Sequence, residues 1–535
     1  MAGSLFNDIP PEIILEILAL VDGKTLIQSC PLVCRLWKDT IDGSSEIRLS
    51  IELWADGMVS GDARGATHAE TLKALHQRRR AWLRLEWASR ETFSVEPLSR
   101  AYELVDGIFA QQTIGPDSES FSTLCLPSAR DPISTTTSVG DLNMEPRDFV
   151  LDPTQDLVAF VSERPENVAN IECRTLSMKP HPLAAIPVVS FPVDNFGTGY
   201  LLLDLADDVI SLFFDQHVVL LNWRKGLVIV DIDCSPLMSS PFSFSLLTPR
   251  AYILGYGGQA GTVEIWAFEG SQRNEPIHRA TLQLPEHIEN HYLATQVHSG
   301  PFRANSTARR PFSKSNESRI CVVSVDYGDL IFHHRYLQSY LSNPCPAGAI
   351  IVPWDEWGPR HARLLAPMPH RWFRYVHGER IVLPPDPGDP KLLQILDFST
   401  SASRPDVDID LDHAPPPTES TASFTTELHD KPSTLFDDLL VEGSVTTSLP
   451  YRLIACSVDE EHALFLIDEE QVIGVNDQQF QLSEDISRLP QEKGFETPRM
   501  LLEVDDGALR SAELEGGQIT EVRTTLREFL IKAQP

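Results

Sequence analysis

From about residue 147 onward, the apolar residues of this chain recur at every second position, in short runs parted by Gly, Asp, Asn and Pro. A period of two places alternate side chains on opposite faces of an extended strand. The runs lie at 157–161, 209–214, 218–223, 227–232, 252–254 and 263–268, and again at 320–325, 330–333, 392–398, 453–457, 464–467, 472–475 and 500–504. No long helical pattern interrupts them, which argues against parallel strand–helix–strand units. Such a chain has to bury strands against strands.

A weak internal repeat narrows the choice. Ile210 stands 13 residues before Trp223, Ile253 stands 13 before Trp266, and the two tryptophans are 43 apart. A glycine, Gly226 or Gly270, follows each tryptophan. Four strands in 40–45 residues resembles one blade of a WD-type β-propeller. The segments 147–178, 200–234, 248–284, 318–340, 371–400, 449–480 and 497–523 could each supply a blade, giving six or seven. The Gly-His and Trp-Asp signatures of WD repeats do not recur, so the resemblance is to a divergent propeller, and a β-sandwich is the alternative. Two stretches break the pattern. Residues 301–318 are polar and basic and read as a flexible insertion. Residues 399–442 carry ten acids against Arg404 and Lys431, plus Pro415-Pro416-Pro417, and read as disorder or a long surface loop.

The first 90 residues follow a different period. Asp8 is placed to cap a helix, and Pro10-Pro11 suit its first turn, where N–H groups have no partner to lose. Ile13, Ile14, Ile17, Leu18 and Val21 recur at helical spacing as one apolar stripe, and Asp22-Gly23 reads as its end. Pro31 starts another helix carrying Leu32, Val33, Leu36 and Trp37. Helices this short cannot bury all of that surface among themselves, which implies a partner or the rest of the chain. Residues 68–90 form a basic amphipathic helix: Leu72, Leu75, Trp82 and Leu85 share one side, and Arg78, Arg79, Arg80 and Arg84 supply the charge. It is expected to connect the two parts, its basic side solvated and docked on an acidic domain.

The stretch 6–40, FNDIPPEIILEILALVDGKTLIQSCPLVCRLWKDT, resembles an F-box. Ile9-Pro10 stands where that family has Leu-Pro. Glu12-Ile13 follows at the family's spacing, Ile17 continues the first helix, Leu26 opens the second, and Val33-Cys34-Arg35-x-Trp37 closes the third. The resemblance covers about the first 45 residues. It implies docking to the Skp adaptor of an SCF-type ubiquitin ligase, and through it to a cullin, by way of Ile9, Pro10, Ile13, Ile17, Leu26, Val33 and Trp37. The expected layout is an all-α F-box module at 1–45, a connecting helical region at 46–90 and an all-β, propeller-like domain at 91–535. In this reading the β domain captures a protein target and the chain is a non-catalytic receptor. A non-degradative scaffold and a propeller enzyme are the alternatives.

Charge and motifs bound the rest. Lys and Arg number 44 against 76 Asp and Glu, a net charge of −32, which disfavours general binding to phosphate backbones, so nucleic acid is not an expected partner. The N-terminus lacks a basic segment followed by an apolar core, and no run of 18 apolar residues occurs, so neither a secretory signal nor a membrane span is expected. Eight scattered cysteines without a C-x-x-C pair suit reduced thiols in the cytosol or nucleus. The glycine-rich 255–261 lacks phosphate-loop spacing and reads as a hairpin turn. Residues 406–412 fail as a calcium loop, because Leu411 stands where glycine is needed. Neither His-Glu-x-x-His nor a Gly-x-Ser-x-Gly elbow occurs, and no cofactor or metal is expected. Trp354, Trp357, Arg360, Arg371, Trp372, Phe373 and Arg374 form a cluster of the residue types that anchor partners, although core packing is the stronger reading for most of them.

Overall fold

The computed structural model describes residues 9–475, other than 62–64, 88–89, 94–98, 115–118, 128–133, 140–141, 164–166, 194–195, 197–200, 235–240, 258–260, 287–294, 304–310, 343–347, 369–373, 400–423 and 439. The expected strand at 500–504, the blade at 497–523, the segment 406–412 and the cap at Asp8 lie outside the described residues.

The chain opens with helices α1 (Pro11–Ala19), α2 (Gly23–Gln28), α3 (Cys30–Val33), α4 (Arg35–Gly43) and α5 (Ser45–Ala55), then strand β1 (Met58–Ser60) and helix α6 (His68–Arg84). Asp22-Gly23 does not end the first helix, as the sequence suggested. Helix α1 stops at Ala19, and Asp22 caps α2, its Oδ1 accepting the Thr25 N–H at 3.0 Å. A hydrogen bond from the Thr25 hydroxyl, together with this one from its N–H, lowers the Asp22 pKa. Helix α6 begins on a reciprocal cap: Thr67 Oγ1 accepts from the Glu70 N–H, and Glu70 Oε2 from the Thr67 N–H at 2.8 Å.

Six antiparallel sheets follow. Sheet one is β2 (Ser99–Val105), β3 (Ile108–Ile114), β4 (Glu119–Cys125) and β5 (Thr135–Val139). Sheet two is β6 (Asp148–Asp152), β7 (Leu157–Glu163), β8 (Val168–Arg174) and β9 (Val188–Pro192). Sheet three is β10 (Leu201–Ala206), β11 (Val209–Phe214), β12 (His217–Asn222) and β13 (Leu227–Asp233). Sheet four is β14 (Pro241–Thr248), β15 (Ala251–Tyr256), β16 (Thr262–Ala267) and β17 (Ile277–Gln283).

Sheet five contains β18 (Gln296–Ser299), then β19 (Phe312–Lys314) departs to pair with β1, and β20 (Ile320–Val325) and β21 (Gly328–His333) resume the sheet. Helix α7 (His334–Gln338), strand β22 (Ile350–Val352), which adds parallel to β17, and helix α8 (Trp354–His361) precede its last strand, β23 (Ala362–Leu365). Sheet six is β24 (Val376–His377), β25 (Arg380–Val382) and β26 (Leu392–Asp397), completed after a long excursion by β27 (Phe424–His429) and β30 (Tyr451–Ser457). A hairpin of β28 (Ser433–Phe436) and β29 (Ser444–Thr447) lies between those two in the chain, and a last hairpin pairs β31 (Leu464–Ile467) with β32 (Val472–Val475).

Alternation of buried side chains shows how the sheets stack. In β7, Val158 and Phe160 pack on sheet one, while Leu157, Ala159 and Val161 pack on sheet three. In β11, Ile210, Leu212 and Phe214 face sheet two, and Val209 and Phe213 face sheet four. Further shared cores join sheet four to five and five to six. Strand β31 closes the series: Phe465 and Ile467 join the core of sheet six, and Leu464 and Leu466 meet Leu104 and Leu126 of sheet one. A strand buried on both faces by neighbouring sheets carries a continuous apolar run, which is the pattern of β7 and β11. Six sheets in a closed series, each packed on the next, are a six-bladed β-propeller, not a two-sheet sandwich.

The 43-residue spacing is the blade period, since Trp223 follows the third strand of sheet three and Trp266 lies in the third strand of sheet four. Trp223 is fully buried, its Nε1 donating to the Asp207 carbonyl at 2.9 Å. Tight turns join the strands. Asp106-Gly107 and Asp215-Gln216 take positive φ at both residues, as two-residue hairpin turns matched to strand twist require.

Other expectations change. The first blade, 99–139, precedes the residue at which the alternation becomes visible. Segments 371–400 and 449–480 are not two blades, because β26 pairs with β30 in one sheet. Residues 424–447 are not loop but three strands, and the described part of 301–318 contributes β19 and buried ion pairs.

Asp329 in β21 is a buried acid. Its Oδ2 accepts the Met368 N–H at 2.6 Å and its Oδ1 the Ser324 hydroxyl, but burial outweighs both and pushes its pKa to about 6. A folded-state pKa above the unfolded value of about 3.9 means this group favours the fold below pH 4 and loses that contribution as pH rises through 6. Asp329→Asn should therefore stabilise the protein at pH 8 by up to about 3 kcal/mol and have little effect at pH 4. Urea denaturation of both forms at the two pH values checks this, and an equal effect at both contradicts it.

Candidate functional site

Helix α1 carries two apolar faces, not one stripe. Ile14 and Leu18 point inward and are buried with Leu26, Cys30, Ile41 and Ile47. Ile13 and Ile17, one helical turn apart, remain 44% and 43% exposed, and Leu20 is 88% exposed. Helix α3 likewise leaves Leu32 83% and Val33 51% exposed. Isoleucine, leucine and valine left open on two short helices are not part of this core, and they are the side chains an interaction surface would use. The inner face supplies the rigidity: burial of Ile14, Leu18 and Leu26 fixes the helices that display the outer one.

The residues marked in the sequence separate accordingly. Pro10, Ile13, Ile17 and Val33 are exposed, and Ile9 and Trp37 lie half-buried against the helical core. Leu26 reaches no solvent and holds α2 to its neighbours from inside. Leu20, not named in the sequence reading, and Leu32, named there only as an apolar helix residue, are the most open apolar side chains of the region. The signal that could have found them is their position outside the inward 3.6-residue set, but the inward set is fixed only by the packing of α4 and α5.

Helix α5 joins this module to the propeller. Ser44 Oγ caps it by accepting the Ile47 N–H at 3.3 Å. Ile47 enters the core shared by α1 and α2, while Leu49 and Leu53 enter a second core with Leu72 and Leu75 of α6, Met58 of β1 and Phe312 of β19. Gly23 lets α2 approach α5 closely, since a Cβ there would lie 2.4 Å from the Trp54 Cβ. Farther along, Trp82, Leu83 and Leu85 belong to the core of sheet six.

The basic side of α6 is not solvated, contrary to the sequence expectation. Arg79 pairs with Glu52 at 2.6 Å and Asp56 at 3.0 Å, and Arg78 pairs with the buried Glu469 at 2.7 Å. In the aromatic–arginine cluster, Trp354 is half-buried and Arg360 exposed, while the other two described members are engaged within the fold. Residues 371–373 lie outside the described residues, Trp357 is fully buried with Nε1 donating to the Gln283 carbonyl, and Arg374 pairs with Glu103 of sheet one.

The helical module sits on one definite face of the ring. The first-to-second-strand turns of the sheets are linked to one another there: Gln155 to Asp207, Asp208 to Arg250, Arg319 to Leu247 and Arg303 to Asp106. Asp56, Arg78 and β1 attach to that same set of turns through Lys314, Glu469 and β19. On the opposite face, turns carry exposed acids such as Glu145, Asp215, Asp326, Asp386 and Glu461, an unsuitable surface for a phosphate backbone.

Comparison with known proteins assigns the N-terminal module directly: residues 6–48 match the F-box domain. Similar solved structures include the WD40 domain of Toxoplasma gondii coronin, at 10% identity and a TM-score of 0.32, covering 77% of this chain and 93% of that one. The WD40 β-propeller domain of Doa1 is similar at 11% identity and a TM-score of 0.30, covering 70% and 96%. Kluyveromyces lactis Hsv2 gives 10% and 0.30, covering 56% and 93%. The propeller assignment rests on the sheet series above. No curated protein matches the chain. Among the described residues, no helix is long and apolar enough to cross a membrane.

Proposed function

We propose that this chain, an F-box domain followed by a six-bladed propeller, is the substrate-recognition subunit of an SCF-type ubiquitin ligase. The observation that carries the reading is the open apolar face of Ile13, Ile17 and Val33 within the F-box match. That face docks the Skp-type adaptor, which brings in a cullin. The propeller, whose other face is free of the helical module, holds a protein target. No bond is made or broken by this chain. Holding a target lysine near the ubiquitin carrier raises its effective concentration, and that proximity is the whole contribution.

Affinity purification of the full chain followed by mass spectrometry, with and without proteasome inhibition, tests the reading. Adaptor and cullin should co-purify under both conditions, and target proteins should increase when the proteasome is blocked. Recovery of adaptor with partners whose half-lives do not depend on the chain would instead make it a scaffold.

A further inference from the structure

The weakest place in a ring of sheets is the seam where the last meets the first. Among the described residues, no strand from one end of the chain completes a sheet begun at the other. The seam is filled instead by the β31–β32 hairpin, whose tip carries two buried acids, Asp468 and Glu469. Asp468 accepts the Gly107 N–H of sheet one and lies 3.2 Å from His377 Nδ1 of sheet six. Glu469 meets Arg303 Nη2, from the sheet-five insertion, at 2.5 Å, and Arg303 Nη1 continues to Asp106 of sheet one at 2.8 Å. His377 Nε2 lies 3.3 Å from the same carboxylate. The remaining oxygen of Glu469 is taken by Arg78, which belongs to α6 and not to the ring. Beside it, Trp82 is inserted under the Arg380 guanidinium, 4.3 Å from its ring centroid.

A buried carboxylate remains ionised where charged partners and hydrogen-bond donors offset its desolvation. At this seam one of them comes from the helical region. We propose that α6 is the clasp of the propeller: Arg78 completes the ionic knot that joins sheets one, five and six, so the helical region and the ring open and close as one unit. The helix that follows the F-box match is thus part of the ring's closure, not a detachable linker. This does not depend on what the F-box face binds.

Hydrogen exchange on the full-length protein reads the claim. In Arg78→Met, the Gly107 amide and the β31 amides should exchange on the order of 100-fold faster, because loss of one partner of a buried ion pair loosens the local unit. Arg80→Met, on the same helix and paired with Glu86 away from the knot, should speed exchange within α6 alone. If Arg78→Met does not accumulate as folded protein, Arg78→Lys takes its place, and a rise of roughly tenfold at the seam supports the clasp. Faster exchange confined to α6, or an equal seam effect from Arg80→Met, overturns it.

Discussion

Replacing Ile13 and Ile17 together by Asp should abolish co-purification of the Skp-type adaptor while leaving the protein folded. Both side chains are nearly half exposed, so the free protein accommodates the change with little loss. In a complex, each new carboxylate would be buried without a partner at a cost of several kcal/mol, enough to remove all measurable binding. The mirror-image pair, Ile14→Asp or Leu18→Asp, should instead unfold the helical module, because those residues lie in its core. The double variant is also the appropriate tool in cells. It keeps Trp82 and Leu83 in the core of sheet six, which a fragment starting at residue 91 would lose. It should occupy targets without delivering them and lengthen their half-lives. Unchanged adaptor recovery would remove the assignment of this face.

The second large effect is expected at Glu379. Its carboxylate takes Lys314 Nζ at 2.7 Å and lies 3.3 Å from His333 Nδ1, with all three side chains nearly inaccessible. Lys314 also donates to the Asp56 carbonyl at 2.8 Å, so the ammonium pins the helical region to sheet six. Glu379→Ala leaves that ammonium buried without an anion and should cost about 3–5 kcal/mol, measured by chemical denaturation. Although burial alone would raise the Glu379 pKa, Lys314 and His333 outweigh it and hold the carboxyl well below the usual range. A depressed folded-state pKa contributes stability that is present above about pH 4.5 and declines as pH falls toward the folded value. The gap between wild type and Glu379→Ala should narrow below pH 4. A gap independent of pH would contradict the ion-pair account.

Much of the ring was legible because β7 and β11 are buried on both faces and therefore read as largely apolar runs. The first sheet was not. Its strand β3 buries Gln111 and Gln112, and Gln112 Nε2 donates there to Glu119 at 2.6 Å and to the Pro146 carbonyl at 2.8 Å. Its outer strand β5 is a polar Thr–Ser edge exposed to solvent. Polar residues satisfied only by distant partners leave no periodic trace. Sheet six misled for a different reason, since β26 and its partner β30 are separated by an excursion longer than a blade. At the candidate site, the 3.6-residue spacing located the apolar residues of α1 but could not divide Ile13 and Ile17 from Ile14 and Leu18. That division is set by where α4 and α5 pack. The arginines of α6 read as a solvated face because Glu469, the partner of Arg78, lies 391 positions away in the chain.

Titration of the full chain with a purified Skp-type adaptor, followed by calorimetry and by mass measurement of the eluted complex, tests the central claim most directly. The account predicts a one-to-one complex that forms with the wild type and is absent with the Ile13→Asp, Ile17→Asp protein at the same folded concentration. No complex with wild type at about 10 μM of each component, where any affinity tighter than roughly −7 kcal/mol would be seen, would contradict it.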